Sequence, residues 1–306
     1  MSESTIDVPA GLRERHALNF GGTTAAWLDA LPGLIAALLE RWDLTPDGTA
    51  SHGNVAMVLP VRRPDGGPAV LKLQPVDEET VGEPVALRAW YGYGAVTLLN
   101  HDPVTGSMLL ERLDAARSLA AVPDVTTALR TLSGVLARLH EVPAPDGVRR
   151  LAEMTPRLLD RVPRGLTLLT GPGDRDVVRD CAAALREVLP EPGDRLLHWD
   201  LHYENVLASV AGEGWLAIDP KPLAGDPGFD LLPALHNRWE AAGGVPGVLR
   251  RFDLMTEVLG LDRPRAARWT LVRVLQNVLW AAEAGAGSWS AGPDRLIAET
   301  LRDRRC

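Results

Sequence analysis

The sequence predicts an α+β fold of two lobes, with a small antiparallel sheet in the N-terminal lobe and a mainly helical C-terminal lobe. Short apolar runs separated by Gly, Pro and Asp turns are typical of antiparallel strands, and they dominate residues 1–112. Apolar residues at helical spacing dominate residues 113–306. A chain of 306 residues is also long enough for two modest domains. We therefore expect the boundary between the lobes at residues 112 and 113.

The first elements of the N-terminal lobe can be placed from local patterns. Apolar residues recur at helical spacing over 27–42, and Thr23 or Thr24 could cap this helix. Two β-type runs follow, over 54–62 and 69–76, and a Pro-Asp-Gly-Gly turn joins them. The pattern predicts a helix followed by a β-hairpin.

A capping-box spacing and a second hairpin complete the N-terminal lobe. Thr80 and Glu83 have the T-x-x-E spacing of a helix N-terminus, and the helix should end near the glycines of YGYG. AVTLLN and SMLLERL then predict another hairpin. In the second lobe we expect helices over 124–142 and near 176–189, 247–260 and 264–284, and a short hairpin that ends with GWLAID.

Charge and composition exclude several classes of protein. The net charge of −8 argues against a nucleic-acid binder and favours a cationic small substrate. The sequence starts without a secretion-signal pattern and has no apolar run that could cross a bilayer, so we expect a cytoplasmic protein without membrane contact. Two distant cysteines indicate neither a disulfide framework nor a cysteine metal site.

Lysine is almost absent from the sequence. Of the 32 basic residues only Lys72 and Lys221 are lysine. A compact ammonium and a planar guanidinium differ at a tight phosphate site, which gives a physical reason to keep a lysine there. The alternative is that either lysine is retained by chance, and this alternative is stronger for Lys221 than for Lys72.

The segment LLHWDLHYENVLA contains the densest group of polar side chains. His198, Asp200 and Asn205 have the H-x-D-x-x-x-x-N spacing of a kinase catalytic loop, and Asp219 follows Asn205 by fourteen residues. Phosphoryl transfer needs a free carboxylate beside the acceptor hydroxyl and hard oxygen ligands for Mg²⁺. The spacing therefore predicts that Asp200, Asn205 and Asp219 converge on one phosphoryl-transfer site.

Two other interpretations of this segment remain open. Each Asp or Asn could be a turn or capping residue, which is the commonest role of such residues taken singly. His198, Asp200 and His202 alternate and could bind zinc, although no further His or Cys stands at a recognisable spacing.

The same segment and its continuation, AIDPKPLAGDPGFDLLPAL, resemble the aminoglycoside phosphotransferase family, and more narrowly its streptomycin 6-phosphotransferases. AVLKLQPVDEETVGEPVALRAW and SMLLERLDAARSL extend the resemblance over nearly the whole chain. It implies a protein-kinase-like fold and phosphorylation of a hydroxyl on a cationic antibiotic, with ATP and Mg²⁺ as cofactors. Streptomycin at its 6-hydroxyl is the implied acceptor, and antibiotic resistance is the implied role.

The resemblance also assigns roles in the C-terminal lobe. Asp200 matches the catalytic aspartate, and Asn205 and Asp219 match the magnesium ligands. Asp226 and Asp230 match structural acids that brace the catalytic loop or cap the next helix. Trp199 stands where the family often has glycine, which puts the local loop conformation in question.

The nucleotide-binding roles fall mainly in the N-terminal lobe. Lys72 matches the strand lysine that contacts the α and β phosphates, and Glu83 is its expected acidic partner, with the acids at 78 and 79 as substitutes. The alternative for Lys72 is an exposed position on an amphipathic strand. Main-chain groups from Glu111 to Leu113 would bind adenine at the hinge.

The acceptor and the class of protein leave alternatives. A different acceptor is possible, such as another aminocyclitol, a sugar, an amino alcohol or hydroxyurea. A catalytically silent, kinase-like protein that sequesters a drug is a second alternative. Such a protein has no chemical need for the full set of Lys72, Asp200, Asn205 and Asp219. We expect a monomer.

Overall fold

The computed structural model describes residues 6–171, 173–210, 212, 214–285, 289 and 292–302. The first six strands form one antiparallel sheet in the order β1-β3-β4-β6-β5, with β2 paired to β3. Two helices precede this sheet in the chain, and a third lies between β4 and β5. The elements are α1 Ala10–Phe20, α2 Ala25–Arg41, β1 Thr45–Pro46, β2 Ser51–His52, β3 Met57–Arg62, β4 Pro68–Leu73, α3 Glu83–Trp90, β5 Leu98–His101 and β6 Met108–Glu111.

Helices dominate the rest of the chain, with two small sheets between them. One sheet has the order β11-β10-β7 and the other β8-β12-β9. The elements are β7 Leu113–Ser118, α4 Val125–Glu141, β8 Arg149–Arg150, α5 Leu151–Leu168, α6 Asp174–Val188, β9 Arg195–Leu197, β10 Val206–Ser209, β11 Trp215–Ala217, β12 Leu223–Gly225, α7 Leu232–His236, α8 Gly244–Leu259, α9 Arg263–Glu283 and α10 Pro293–Leu301. This confirms the α+β prediction.

The β3–β4 hairpin closes over the turn that the sequence indicated. The peptide N–H of Arg63 donates to the Gly67 carbonyl, and Gly66 has a φ of +79°, a conformation that glycine adopts without a Cβ clash. Met57 pairs with Leu73, and Val58 pairs with Lys72. The register therefore places Lys72 near the inner end of a central strand.

The capping box predicted for α3 is wrong. Gly82 is the N-cap residue, and the Thr80 hydroxyl donates to the Pro75 carbonyl instead. The Glu83 side chain points to Lys72 rather than back to a peptide N–H. A carboxylate gains more from a buried ammonium than from a solvent-exposed helix end, so the tertiary contact prevails.

Sequence patterns missed helices α1, α5 and α10. Helix α5 contains Pro156 and Pro163, which normally end a helix because proline lacks a peptide N–H. Leu158 and Val162 are buried on its inner face, so packing offsets the missing hydrogen bonds. Helix α5 thus forms because its inner face is buried, although its prolines disfavour a helix locally.

Packing fixes α3 against the helical part of the chain. Trp90 is buried in the same core as Leu139 of α4, and its indole Nε1–H donates to the Leu139 carbonyl at 3.1 Å. A separate apolar core lies between α1, α2 and the outer face of the sheet. Helix α3 therefore holds Glu83 at a fixed place relative to the C-terminal residues. Among the described residues, no helix is long and apolar enough to span a membrane.

Candidate active site

Lys72 stands at the centre of a buried charge cluster. Its Nζ lies 2.6 and 2.8 Å from the two carboxylate oxygens of Glu83 and 2.6 Å from Oδ1 of Asp219. Lys72 is 5% exposed and Glu83 is 1% exposed, so the exposed-strand interpretation is wrong. Gln74 Nε2 donates to the same Glu83 carboxylate at 2.6 Å. Glu83, and not the acids at 78 and 79, is therefore the partner of Lys72.

Electrostatics keep the Lys72 side chain charged. Burial alone would lower the pKa of this ammonium, but the carboxylates of Asp219 and Glu83 outweigh burial and raise the pKa above its ordinary value. The Lys72 ammonium in turn is the main cause that holds the pKa of Asp219 below its ordinary value. Lys72 and Asp219 are thus charged at neutral pH, as a polyphosphate site needs. Burial raises the pKa of the Glu83 carboxyl, and the Lys72 ammonium opposes that effect.

Asp219 reaches this cluster from the end of the β10–β11 hairpin. Val206 pairs with Ala217, and the Ile218 peptide N–H donates to the Asn205 carbonyl at 2.9 Å. Asp219 itself has a φ of +59°, which is unfavourable for a residue with a Cβ. This strained turn brings Asn205 and Asp219 together, as the sequence predicted.

The loop that carries Asp200 is anchored by Asp230. The buried Asp230 carboxylate accepts from the peptide N–H groups of His198 at 2.8 Å and Trp199 at 2.6 Å. His140 Nε2 lies 3.0 Å from the same carboxylate. Trp199 has a φ of +68°, and this network offsets the cost of that conformation. The bracing role predicted for Asp230 is confirmed, and a tryptophan fits where the family often has glycine.

His198 supports the loop as a neutral imidazole. Burial lowers its pKa, so its Nε2–H donates to the Ile218 carbonyl at 3.0 Å while Nδ1 accepts from the Asp200 peptide N–H at 3.4 Å. His202 instead pairs with Glu204 at 2.9 Å. The two histidines are thus engaged with separate partners, which argues against a zinc site with Asp200.

Asn205 and Asp219 fit the ligand preferences of magnesium. The Asn205 Nδ2–H donates to the Asp200 carbonyl at 3.0 Å, which leaves the amide oxygen as the ligand atom. Asp219 has a half-exposed carboxylate with one oxygen engaged by Lys72. Hard oxygen donors of this kind suit Mg²⁺.

Glu111 and Leu113 lie where the chain leaves the N-terminal sheet. Glu111 ends β6, and its side chain accepts from the Thr97 peptide N–H at 3.0 Å. Leu113 begins β7, which pairs with β10 of the β10–β11 hairpin rather than with β6. Their predicted main-chain contact with adenine stays a prediction.

Two cations near Asp200 had no predicted role. Lys221 Nζ lies 3.1 Å from Asp200 Oδ2 and 3.4 Å from Glu79 Oε2. Arg273 on α9 is buried, and burial lowers its pKa to about 10, so it still carries a charge at neutral pH. The scarcity of lysine was a sequence signal for Lys221, whereas nothing distinguishes Arg273 from the other arginines.

A cavity opens beside Asp200 on the helical side of the site. Both Asp200 and Arg273 line it, together with residues of α7 and α9. His236 is a further lining residue, and its hydrogen bond with Asp294, 2.5 Å long, raises the pKa of the imidazole. The other lining residues are His202, Leu232, Pro233, Asn237 and Asn277. The cavity thus offers an acceptor site within reach of the Asp200 carboxylate.

Comparisons with known proteins agree with this geometry. The family described as aminoglycoside/hydroxyurea antibiotic resistance kinase matches residues 41–285. The chain is 53% identical to a streptomycin 6-kinase of Streptomyces glaucescens over 287 residues, 92% of this chain and 93% of that relative. It is also 53% identical to a hydroxyurea phosphotransferase of Kitasatospora aureofaciens over 306 residues, 98% of this chain and 87% of that relative.

A solved structure extends the comparison to the fold. A thermostable mutant of an aminoglycoside phosphotransferase, in ternary complex with ADP and hygromycin B, aligns with a TM-score of 0.56 at 14% identity. The alignment covers 88% of this chain and 96% of that chain. The protein-kinase-like fold is therefore confirmed. With its motif residues converging on one site, this chain belongs to the aminoglycoside/hydroxyurea antibiotic resistance kinase family.

Proposed function

We propose that this protein transfers the γ-phosphoryl group of ATP to the 6-hydroxyl of streptomycin and so inactivates the antibiotic. One observation carries the proposal: Lys72 is bonded to both Glu83 and Asp219 in a cluster that faces the Asp200 loop. The streptomycin 6-kinase of Streptomyces glaucescens, 53% identical to this chain, supports the choice of acceptor.

The proposed nucleotide site uses the buried cluster. Lys72 would contact the α and β phosphates, and Glu83 holds its ammonium in place. Asn205 and Asp219 would hold Mg²⁺, which supplies charge neutralisation for the phosphate oxygens when it is bound. Main-chain groups from Glu111 to Leu113 would bind adenine.

The chemical step would depend on Asp200. Its carboxylate orients the acceptor hydroxyl and takes its proton as the hydroxyl oxygen forms a bond to the γ-phosphorus. The bond from that phosphorus to the ADP oxygen breaks, and ADP leaves. Positioning and electrostatics supply most of the rate, because a loose phosphoryl transition state needs little covalent chemistry from the protein.

The proposal includes the division into lobes. Residues 1–112 would form the nucleotide-binding lobe and 113–306 the lobe with the catalytic loop and acceptor site. The change of sheet between Glu111 and Leu113 supports this boundary. All the named groups lie on one chain, so we propose that the monomer is the active unit.

A coupled ADP-release assay with streptomycin tests the proposal. We expect turnover in the wild type and a loss of about 10²–10⁴-fold in kcat for Asp200→Asn, since this change removes the proton acceptor. Mass spectrometry and NMR of the product should locate one phosphate on the 6-hydroxyl. Streptomycin binding without ADP release by the wild type would favour a sequestering protein.

Hydroxyurea is a second candidate acceptor. The hydroxyurea phosphotransferase of Kitasatospora aureofaciens matches 98% of this chain at 53% identity. Arg273 also places a positive charge at the acceptor cavity, which suits a small neutral molecule better than a cationic drug. The same assay with both acceptors decides between them, because turnover with hydroxyurea alone would refute the streptomycin proposal.

A further inference from the structure

Both lysines of the chain lie at the proposed site. Lys72 bonds with Asp219, and Lys221 lies between the Asp200 carboxylate and Glu79, a residue of the loop before α3. The Lys221 peptide N–H donates to the His198 carbonyl at 3.0 Å, which fixes its backbone against the catalytic loop. The second ammonium is therefore held at the reacting end of the site.

The local charges keep Lys221 protonated. Burial disfavours its charged form, but the carboxylates of Asp200 and Glu79 outweigh burial and raise the pKa of the ammonium. A compact ammonium can share its three donors among groups on different sides, whereas a guanidinium presents its donors in a rigid plane. A lysine at this position in an arginine-rich chain thus has a physical reason.

The distance to Asp200 limits where the Lys221 charge lies during transfer. A hydroxyl oxygen bonded to Asp200 Oδ2 lies about 3 Å from that atom, so the Lys221 ammonium, 3.1 Å from Oδ2, lies within about 6 Å of the hydroxyl oxygen. The γ-phosphoryl group must reach this same oxygen. Lys72 is engaged by Glu83 and Asp219, and its proposed contacts are with the α and β phosphates.

We propose that Lys221 is a further catalytic residue, which contacts the γ-phosphoryl oxygens while it orients the Asp200 carboxylate. The inference rests on the proposed phosphotransferase function. Lys221 keeps its proton throughout and stabilises the negative charge on the phosphoryl oxygens as the group moves to the acceptor. When the nucleotide binds, the γ-phosphoryl group replaces Glu79 as a partner of the Lys221 ammonium.

Nucleotide binding separates this role from a structural one. Lys221→Met removes the charge and keeps an unbranched side chain. We expect the affinity for Mg·AMP-PNP to fall by about tenfold or more, because a charge-assisted contact with the γ-phosphate is lost. The affinity for MgADP, which lacks that phosphate, should stay within about twofold. Isothermal titration calorimetry measures both, and a purely structural change would lower both alike.

Turnover gives the second readout. For Lys221→Met we expect kcat to fall by about 10²–10³-fold, as for the loss of one preorganised donor to a transition state. Arg179→Met is the matched control, because it removes an exposed cation that pairs with Asp176 on α6 and should leave every parameter unchanged. If methionine prevents folding, Lys221→Gln provides the same comparison without the charge.

Two outcomes would overturn the inference. A kcat within about threefold of the wild type, or equal losses of ADP and AMP-PNP affinity, would show that Lys221 does not act on the γ-phosphoryl group. Failure of the proposed function looks different, since the wild type itself would then bind neither nucleotide or release no ADP with any acceptor.

Discussion

Removal of Glu83 should expose the energetic cost of the buried ammonium of Lys72. In Glu83→Ala, Lys72 loses two of its three carboxylate contacts, and Gln74 loses its acceptor. Lys72 is only 5% exposed, so water cannot replace the lost contacts. Leaving one member of a buried ion pair without its partner costs about 3–5 kcal/mol, and the remaining Asp219 contact favours the lower figure.

The expected magnitude is therefore about 3 kcal/mol in the free energy of unfolding. With an unfolding entropy of about 2.1 cal/mol/K per residue, each kcal/mol lowers the Tm of a 306-residue chain by about 1.5 °C, which gives a decrease of about 5 °C. Thermal unfolding followed by circular dichroism measures it. Asp176→Ala is the control, because its ion pair with Arg179 is as short, at 2.7 Å, but exposed, and should contribute at most about 1 kcal/mol.

A double variant tests whether the unpaired charge is the cause. Lys72→Met combined with Glu83→Leu replaces the pair by apolar groups of similar size, and it should be more stable than Glu83→Ala alone while being inactive. If Glu83→Ala loses less than about 1 kcal/mol, or if the double variant is less stable than the single one, the reasoning about a buried pair is refuted.

Three further predictions concern the acceptor cavity, the loop anchor and the metal ligands. The hydrogen bond with Asp294 raises the pKa of His236 above its ordinary value, so the imidazolium loses its positive charge as pH rises through that raised pKa. The KM for cationic streptomycin should then fall, and His236→Gln should abolish this pH dependence in initial-rate assays. Asp230→Asn should lower the free energy of unfolding by about 3 kcal/mol in urea titrations, since an amide cannot accept from all three donors, and an unchanged midpoint would contradict the anchoring role. Asn205→Ala should raise the Mg²⁺ concentration for half-maximal ADP release by about 10–100-fold at fixed ATP, whereas an unchanged requirement would remove Asn205 from the ligand set.

The Asp200 loop and the β10–β11 hairpin that follows it, here called the catalytic hairpin, are the part of the site that local sequence predicts best. Asp200, Asn205 and Asp219 lie within twenty residues, and the strands between Asn205 and Asp219 pair directly with each other. A hairpin brings its own ends together whatever the rest of the chain does. The spacing of these residues was therefore sufficient to predict their convergence.

Contacts between distant segments could not be predicted in the same way. Three glutamates follow Lys72 before or at the start of α3, and Glu83 is the most distant of them in sequence. Packing of Trp90 against α4 nevertheless selects Glu83. Helix α5 forms despite two prolines because its inner face is buried.

The sequence by itself determined the α+β pattern, the residue types of the catalytic hairpin and the unusual retention of two lysines. Only the tertiary structure decided that Lys72 pairs with Glu83, that Lys221 meets Asp200, and that Arg273 lines the acceptor cavity. The physical reason is that local patterns depend on backbone geometry over a few residues. The partner of a buried charge instead depends on which distant segments exclude water around it, and that is fixed only when the whole chain packs.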